Sequence, residues 1–421
     1  MRLAIISQAY YPFRGGSERV AQQLAERLAA RGHTVQVFTS TVEQELGFSD
    51  SRVARLPAGR AEVNGIPVIR FAHNIALQRL CTKLAPFNSN FPNTYQYDFF
   101  DALRRGPAML GVAHAIAAWR PELIVALPAS SSVLAYALWA RRLTRGQAAV
   151  ATVPCFHSSE HNSNHPATLS RLAQADGLAV YTQHEKLELV AQGVPAEHVT
   201  ITGLGLDPTL PADTAIPARA FRERYGIGQA PIIAFVGRKQ RYKGTWFLLE
   251  AMRQVWPRFP QAYLVLAGRR TSESLEMARK LTDLAAQAKS KTIWLDDFSE
   301  EDKAGLYSAA DIIALPSIID SFGVVYLEGW LYKKPVIGCR LGSTSTIIAD
   351  KSDGLLVTFE DQQELAQAIS DLLAYPELRT EMGEAGYRKL LASYTWDIVL
   401  DRYEQTFQDA ITRARVRQEA H

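Results

Sequence analysis

The strongest constraint on the fold is a strand, loop, helix, strand order that occurs twice, once from residue 3 and again from residue 231. "LAIIS" is an apolar run of strand length and "QAYYPFRGG" a loop; Ser17 to Arg31 then sets Val20, Leu24 and Leu28 on one helical face, Gly32 ends it, and "HTVQVF" resumes a strand. In the second half "PIIAFVG" is a strand and "RKQRYKG" a loop, and Leu248, Leu249, Met252, Val255 and Trp256 recur at helical spacing ahead of the strand "AYLVLAG". Each is a βαβ unit, and strands alternating with helices along each half predict an α/β chain with two parallel, doubly wound sheets. At 421 residues the chain exceeds the ~100–200 residues of one domain, which agrees with two. The proline-bearing stretch "GLDPTLPADTAIPARAF" has little periodicity and separates them. The expected division is 1–205, a linker at 206–230, a second domain at 231–395 and a terminal helix at 396–421. Two such domains facing each other leave a cleft, and ligands of doubly wound sheets bind in loops beyond the carboxyl ends of the strands.

Composition removes several function classes. Lys and Arg number 46 and Asp and Glu 43, a net charge of +3, so bulk charge gives no reason to expect nucleic acid as a partner, and any anion site must be local. Cys81, Cys155 and Cys339 are odd in number and far apart, which fits a reducing, cytoplasmic setting better than a disulfide framework. The start of the chain has an apolar run too short for a signal peptide. Leu123 to Ala140 is the most membrane-like stretch, but Pro128 and three serines split it into a strand, a turn and a buried helix. Arg104 and Arg105, or Arg141, Arg142 and Arg145, either meet acidic lipid at the inner membrane face or form solvated helix faces.

Three loops are candidates for a phosphate or sugar ligand. "GRKQRYKG", residues 237–244, follows a strand and opens a helix; among its cations Arg238 and Lys243 are placed on a diphosphate, where they would stabilise charge on a leaving group, although a solvated basic loop has the same composition. "RGGSE", residues 14–18, lets backbone approach a ligand at Gly16, or merely supplies a turn. There is no G-x-G-x-x-G after the first strand and no G-x-x-x-x-G-K-[ST], which argues against a dehydrogenase or a P-loop enzyme. The third is "DSFGVVYLE", residues 320–328. Eight residues of continuous helix would separate its two acids by about 12 Å. If the helix instead begins at 321–323, Asp320 stands before it and folds back toward a sugar, Glu328 reaches another part of an elongated ligand, and the amides of Phe322, Gly323 and Val324 point at ligand oxygens. The plain reading of the same residues is an N-cap and a half-buried paired acid.

Taken in order, "YYPFRGGSERVAQQLAERLAARGHTVQVFTS", "VYTQHEKLELVAQGVPAEHVTITGLGLDP", "FVGRKQRYKGTWFLLEAM" and "LYSAADIIALPSIIDSFGVVYLEGWLYKKPVIGCRLGSTSTIIADKSDGLLV" resemble the GT-B retaining glycosyltransferases of family 4, the glycosyl transferases group 1. The resemblance spans nearly the whole chain. It implies a GT-B fold of two Rossmann-like domains and transfer of a sugar, with retention, from a nucleoside-diphosphate sugar (UDP- or GDP-linked) to a hydroxyl of a saccharide or lipid-linked acceptor. Glycan, glycolipid or cell-envelope polysaccharide synthesis is the implied setting. It implies that the family's E-x7-E acids, on the sugar and the ribose, fall on Asp320 and Glu328, that Arg238 and Lys243 are its diphosphate pair, and that Gly16 is its amino-terminal glycine. The first acid is Asp here, one methylene shorter than the family's Glu. "GLGLD" stands where the family has a PNG-like segment, with Leu204 at the usual Asn, and no ligand role transfers there.

His157 in "VPCFHSSEHN" aligns with the family's sugar-proximal histidine. His157, His161 and His165 are also spaced by four beside Cys155, so a zinc cluster and a structural histidine stay open, although "SSEHNSNHP" is a poor helix. Thr182 and Glu185 in "TQHE" predict a capping box. No D-x-D occurs, so no catalytic metal or other cofactor is expected, and "DDFSEED" is a helix-start loop. The terminal helix either crosses back to the first domain, as in relatives, or packs on the second. Two other functions share these features, a non-catalytic sugar-nucleotide-binding subunit and a GT-B sugar-nucleotide epimerase.

Overall fold

Short runs of Val, Ile, Leu and Ala buried on both faces need helices on both sides, and this requirement shapes each half of the chain. The computed structural model describes residues 1–13, 15–88, 95–157, 164–209, 214–269, 271, 273–277, 290–296 and 298–419. It divides into two units, Met1–Thr202 with Leu400–His421, and Gly203–Val399.

In the first unit the strands are β1 (Arg2–Ser7), β2 (Thr34–Ser40), β3 (Gly59–Val63), β4 (Ile66–Phe71), β5 (Leu123–Leu127), β6 (Ala149–Thr152), β7 (Gly177–Val180) and β8 (Val199–Ile201). They form one sheet in the order β3-β4-β2-β1-β5-β6-β7-β8, parallel except where β3 turns back on β4. That hairpin turns at Asn64 and Gly65, both at positive φ, as a two-residue turn between twisted strands requires. The second unit holds β9 (Ile232–Val236), β10 (Tyr263–Ala267), β11 (Thr292–Leu295), β12 (Ile312–Leu315), β13 (Val336–Cys339) and β14 (Gly354–Val357), all parallel, in the order β11-β10-β9-β12-β13-β14. Counted within the unit this is 3-2-1-4-5-6, the dinucleotide-fold order. The chain reverses its direction of winding between β9 and β12, and likewise between β1 and β5 in the first unit, so the connections leaving these neighbouring strands run to opposite faces of the sheet, the position at which such folds form a crevice.

The loops after β9 and β12 are in close contact. Gly244 sits at φ +78°, and a Cβ there would lie 2.0 Å from the carbonyl oxygen of Pro316. Ile318 donates its amide to Tyr242 O at 2.9 Å, and the Ser317 hydroxyl reaches Tyr242 O at 3.2 Å and Ile319 O at 2.8 Å.

The expected linker at 206–230 is corrected. Its second half contains the helix Ala215–Arg224, which belongs to the second unit, and the boundary falls at Thr202 and Gly203. Phe221 and Ile227 are buried, and Phe221 packs on Gly305 of the helix Glu300–Ala309. Pro217 is tolerated because it lies in the first helical turn, where amides have no intrahelical partner. Leu206 pairs with Tyr394 and Trp396 through backbone hydrogen bonds within the same unit. The terminal helix runs Trp396–Glu419 and groups with the first unit from Leu400 onward. Tyr403, Phe407 and Ala410 are buried; Arg31 pairs with Asp401 and Glu404, Arg413 donates to Asp176 O, and Arg417 pairs with the Asp176 carboxylate. Among the described residues no helix is long and apolar enough to cross a membrane.

Replacing Gly244 with Ala combines backbone strain with a clash against main chain, which has no flexible end to move aside. Its unfolding free energy in urea is expected to fall by more than about 1 kcal/mol, whereas Gly16→Ala, with open space around it, is expected to leave stability nearly unchanged.

Candidate active site

The loops at the β9/β12 crossover bring three of the expected donor groups together. Lys243 closes a short 3-10 turn, Arg241–Lys243, and its Nζ donates to Asp320 Oδ2 and to Ile319 O, both at 2.9 Å. The other carboxylate oxygen, Asp320 Oδ1, accepts the Gly323 amide at 2.9 Å, so Asp320 stands outside the helix Val324–Leu331 and folds over its start. Gly323 takes φ +82°, where a Cβ would strike the Tyr326 ring. The Tyr242 ring has the guanidinium of Arg238 5.9 Å and the ammonium of Lys243 5.4 Å from its centre. The Arg238 side chain is exposed and lies near the Tyr242 ring, while its backbone carbonyl accepts the Gln240 amide at 2.8 Å. With Arg241 it is one of two exposed cations of this loop.

Lys239 alone among the loop's other cations is committed elsewhere. Lys239 is fully buried, donates to Leu295 O at 3.1 Å and pairs with Asp296 at the end of β11. Arg241 is mostly exposed, its guanidinium 3.9 Å from Glu360, and its backbone amide donates to Glu273.

Glu328 lies in a second cluster. It is buried, with Oε1 accepting from Lys303 at 2.5 Å and Oε2 from the Tyr307 hydroxyl at 2.6 Å, both on the helix Glu300–Ala309. Burial, then the Glu328 carboxylate, holds the Tyr307 hydroxyl well above its ordinary pKa, so it donates rather than ionises. Neither Lys303 nor Tyr307 could be paired with Glu328 from spacing, because the partners lie on separate helices. The Phe322 side chain is buried edge-on against Tyr394, and the Gly323 amide is taken by Asp320; of the expected amides, Val324 opens the helix without an intrahelical acceptor.

In the first unit Gly16 opens the helix Gly16–Ala30 with open space where a side chain would stand. The constrained glycine is Gly15, whose added Cβ would lie 2.0 Å from Glu18 Oε2. Glu18 is buried, accepts from Gln8 at 2.7 Å, and has its pKa raised by burial. His157 is partly exposed, on the loop after β6. His161 lies outside the described residues, and His165 caps the helix Pro166–Ala173 by accepting the Ala167 amide at 3.3 Å. Among the described residues no group of three or more His, Cys, Asp or Glu is arranged to hold a metal ion. Ser299 and Asp302 form a capping box at the start of Glu300–Ala309.

The "TQHE" segment is half a capping box. Thr182 accepts the Glu185 amide at 3.1 Å, but the Glu185 carboxylate bypasses the cap and accepts from Phe156 N at 2.7 Å and Tyr181 N at 2.8 Å. It thereby ties the loop carrying His157 to the start of the helix Gln183–Ala191. Burial pushes its pKa from 4.5 up to about 7, against the two amides that favour the charged form.

With this geometry the relatives can be placed. Residues 14–210 match Glycosyltransferase Family 4 and residues 218–389 match Glycosyl transferases group 1. The D-inositol 3-phosphate glycosyltransferase of Corynebacterium urealyticum is 28% identical over 94% of this chain and 93% of its own. The alpha-D-kanosaminyltransferase of Streptomyces kanamyceticus is 27% identical over 60% of this chain and 69% of its own. Among solved structures, HepE of Anabaena in complex with UDP and glucose superposes with a TM-score of 0.71 at 17% identity, covering 97% of this chain and 99% of that one. Sucrose-phosphate synthase of Thermosynechococcus elongatus gives 0.71 at 21%, covering 97% and 99%. The chain is a transferase of sugars with the GT-B fold. It belongs to the group 1 glycosyltransferases, whose two domains it carries in order.

The Glu185 carboxyl predicts a pH signature. With its folded pKa raised from 4.5 to about 7, the folded chain keeps a proton in that interval that the unfolded chain releases. Its contribution to stability is full below the unfolded value and is lost as pH rises through the folded one. The unfolding free energy of wild type minus that of Glu185→Gln is therefore expected to decline across this window, read from urea titrations below, within and above it; a pH-independent difference would contradict a retained proton.

Proposed function

We propose that the protein transfers a sugar, with retention at the anomeric carbon, from a nucleoside-diphosphate sugar to an acceptor hydroxyl. The observation that carries this reading is the meeting of Lys243, Asp320 and the exposed Arg238 at the β9/β12 crossover, where doubly wound sheets take nucleotides. The nucleotide in HepE and the glycosyltransferase names of the relatives support it.

On donor binding Lys243 exchanges Asp320 for a phosphate oxygen, and Arg238 takes another. Asp320, released from the ammonium, accepts hydrogen bonds from sugar hydroxyls, and Glu328 with Lys303 takes the ribose side. The acceptor oxygen then bonds to the anomeric carbon as the bond from that carbon to the diphosphate oxygen breaks. The acceptor proton passes to the departing phosphate on the same face. Arg238 and Lys243 stabilise the charge that grows there, which is the task a divalent metal has in other transferases, so the reading invokes none. Gly16 and His157 keep the roles implied by resemblance, at the donor phosphate and the reacting sugar. The three cysteines, none in a disulfide, suit a reducing cytosol, and glycan, glycolipid or cell-envelope polysaccharide synthesis is the proposed setting.

The test is incubation with labelled UDP- and GDP-sugars and candidate acceptors. Released nucleoside diphosphate together with a product of unchanged anomeric configuration is the expected result. Interconversion of the donor would make the protein an epimerase, and binding without turnover a donor-binding subunit. Lys243→Ala is expected to lower kcat by about 10²–10³ with a smaller change in donor KM, because its charge counts most in the transition state; unaltered kinetics would remove it from the leaving-group site.

A further inference from the structure

At the carboxyl edge of the first unit's sheet, four buried side chains hold polar atoms that have no hydrogen-bond partner among the described residues: Ser7 Oγ, Tyr10 Oη, Thr39 Oγ1 and Arg70 Nε. Strand register makes them neighbours. Ile6 pairs with Phe38 and Thr39 with Arg70, so Ser7, Thr39 and Arg70 stand side by side near the ends of β1, β2 and β4 and face the same way. Ala4, Ile6 and Phe38 face the opposite core, with the helices Val112–Trp119 and Val133–Leu143, so the polar row lies on the side of the helix Gly16–Ala30, which packs on the same three strands. Arg70 Nη2 donates to Tyr11 O at 3.2 Å, in the loop after β1, so the guanidinium leans back across the end of β2 toward Tyr10.

The charge in this row is unbalanced. No carboxylate is hydrogen-bonded or ion-paired to Arg70 among the described residues, and burial lowers its pKa with only the Tyr10 hydroxyl acting against it. Burial, then Glu26, holds the Tyr10 hydroxyl above its ordinary pKa, so it keeps its proton and can donate. Glu26 itself accepts from Gln22 at 2.8 Å and from Asn64 at 2.7 Å. Buried polar atoms in native proteins are nearly always paired, and a buried cation needs a counter-charge. One guanidinium N–H and three hydroxyls, all able to donate, match an oxyanion. Arg70 is 8% exposed and the other three 0–1%, so the cation is the group nearest the entrance. The row lies beyond the carboxyl ends of parallel strands, where such sheets take ligands.

We infer that the first unit binds an oxyanion between Arg70, Tyr10, Thr39 and Ser7, and that this anion is the phosphate or carboxylate group of the acceptor. Its assignment to the acceptor rests on the sugar-transfer reading; the anion site itself does not. The probe is inorganic phosphate, and the full chain carries Arg238→Ala and Lys243→Ala so that the donor loop does not take it. Melting temperature is followed against phosphate concentration at constant ionic strength. The expected result is a rise that Arg70→Gln removes and that Tyr10→Phe and Thr39→Val each move to about tenfold higher phosphate, as loss of a hydrogen bond to a charged group requires. Without phosphate, Tyr10→Phe and Thr39→Val are expected to keep or raise the melting temperature, because each deletes a buried hydroxyl without a protein partner. No response to phosphate overturns the site. So does a response that the three variants leave unchanged, whether or not they lower the melting temperature, since the hydroxyls would then serve the fold alone. Sugars with and without a phosphate or carboxylate group are next offered to the unaltered chain with labelled donor. One anionic class is expected to have a KM lower by about tenfold or more, which identifies the oxyanion, and Arg70→Gln is expected to raise that KM while the donor KM stays. Transfer to neutral and anionic acceptors alike overturns the assignment and leaves sugar transfer standing; phosphate binding that depends on Arg70, with no transfer to any acceptor, keeps the site and removes the sugar-transfer reading.

Discussion

The meeting of two main-chain segments at the β9/β12 crossover governs the site in the second unit. Gly244 has no side chain and lies against the Pro316 carbonyl, and this allows the Tyr242 carbonyl to accept from Ile318 and Ser317. The neighbouring residue, Lys243, is thereby set beside Asp320, 77 residues further along the chain. The opposed winding on either side of β9 and β12 supplies the crevice, and the glycine lets its walls come close enough for one cation and one acid to touch.

Much of this was legible in the sequence, because the fold depends on local repeats. Apolar runs bounded by turn residues located β1, β2, β9 and β10, and the helix expected to begin at 321–323 begins at Val324, with Asp320 before it as expected. What escaped depended on partners remote in sequence. Nothing local distinguishes Lys239 from Lys243 in "RKQRYKG"; the first is buried because Asp296, 57 residues on, meets it at the end of β11. Glu328 was singled out, but Lys303 and Tyr307, which hold it, carry no signal until two helices pack together. Prolines made 206–230 look like a linker, whereas Phe221 and Ile227 anchor its second half to the second unit. Three prolines in a short stretch report backbone preference, and two well-spaced apolar side chains overrode it.

Two helices of the first unit solve a common problem in the same way. Glu18 and Glu185 each lie in a first helical turn and are buried, and each carboxylate reaches back to a preceding loop, Glu18 to the Gln8 side chain and Glu185 to two backbone amides. An acid in the first turn is favoured by the helix dipole, and that offsets part of the penalty of burying it. The return is rigidity in segments that would otherwise have only backbone to hold them. Glu185 is the stronger case, because it fastens the residue immediately before His157, so the setting of that imidazole depends on a carboxylate on another element.

On the mechanism we propose, the ion pair between Lys243 and Asp320 would give the cation assigned to the leaving group a resting partner. A nucleotide bound in that way would enter by substitution, displacing one anion with another, and would leave without stranding a bare ammonium. A self-quenched pocket of this kind would trade grip for throughput, holding product less tightly than a naked lysine and resetting itself between cycles.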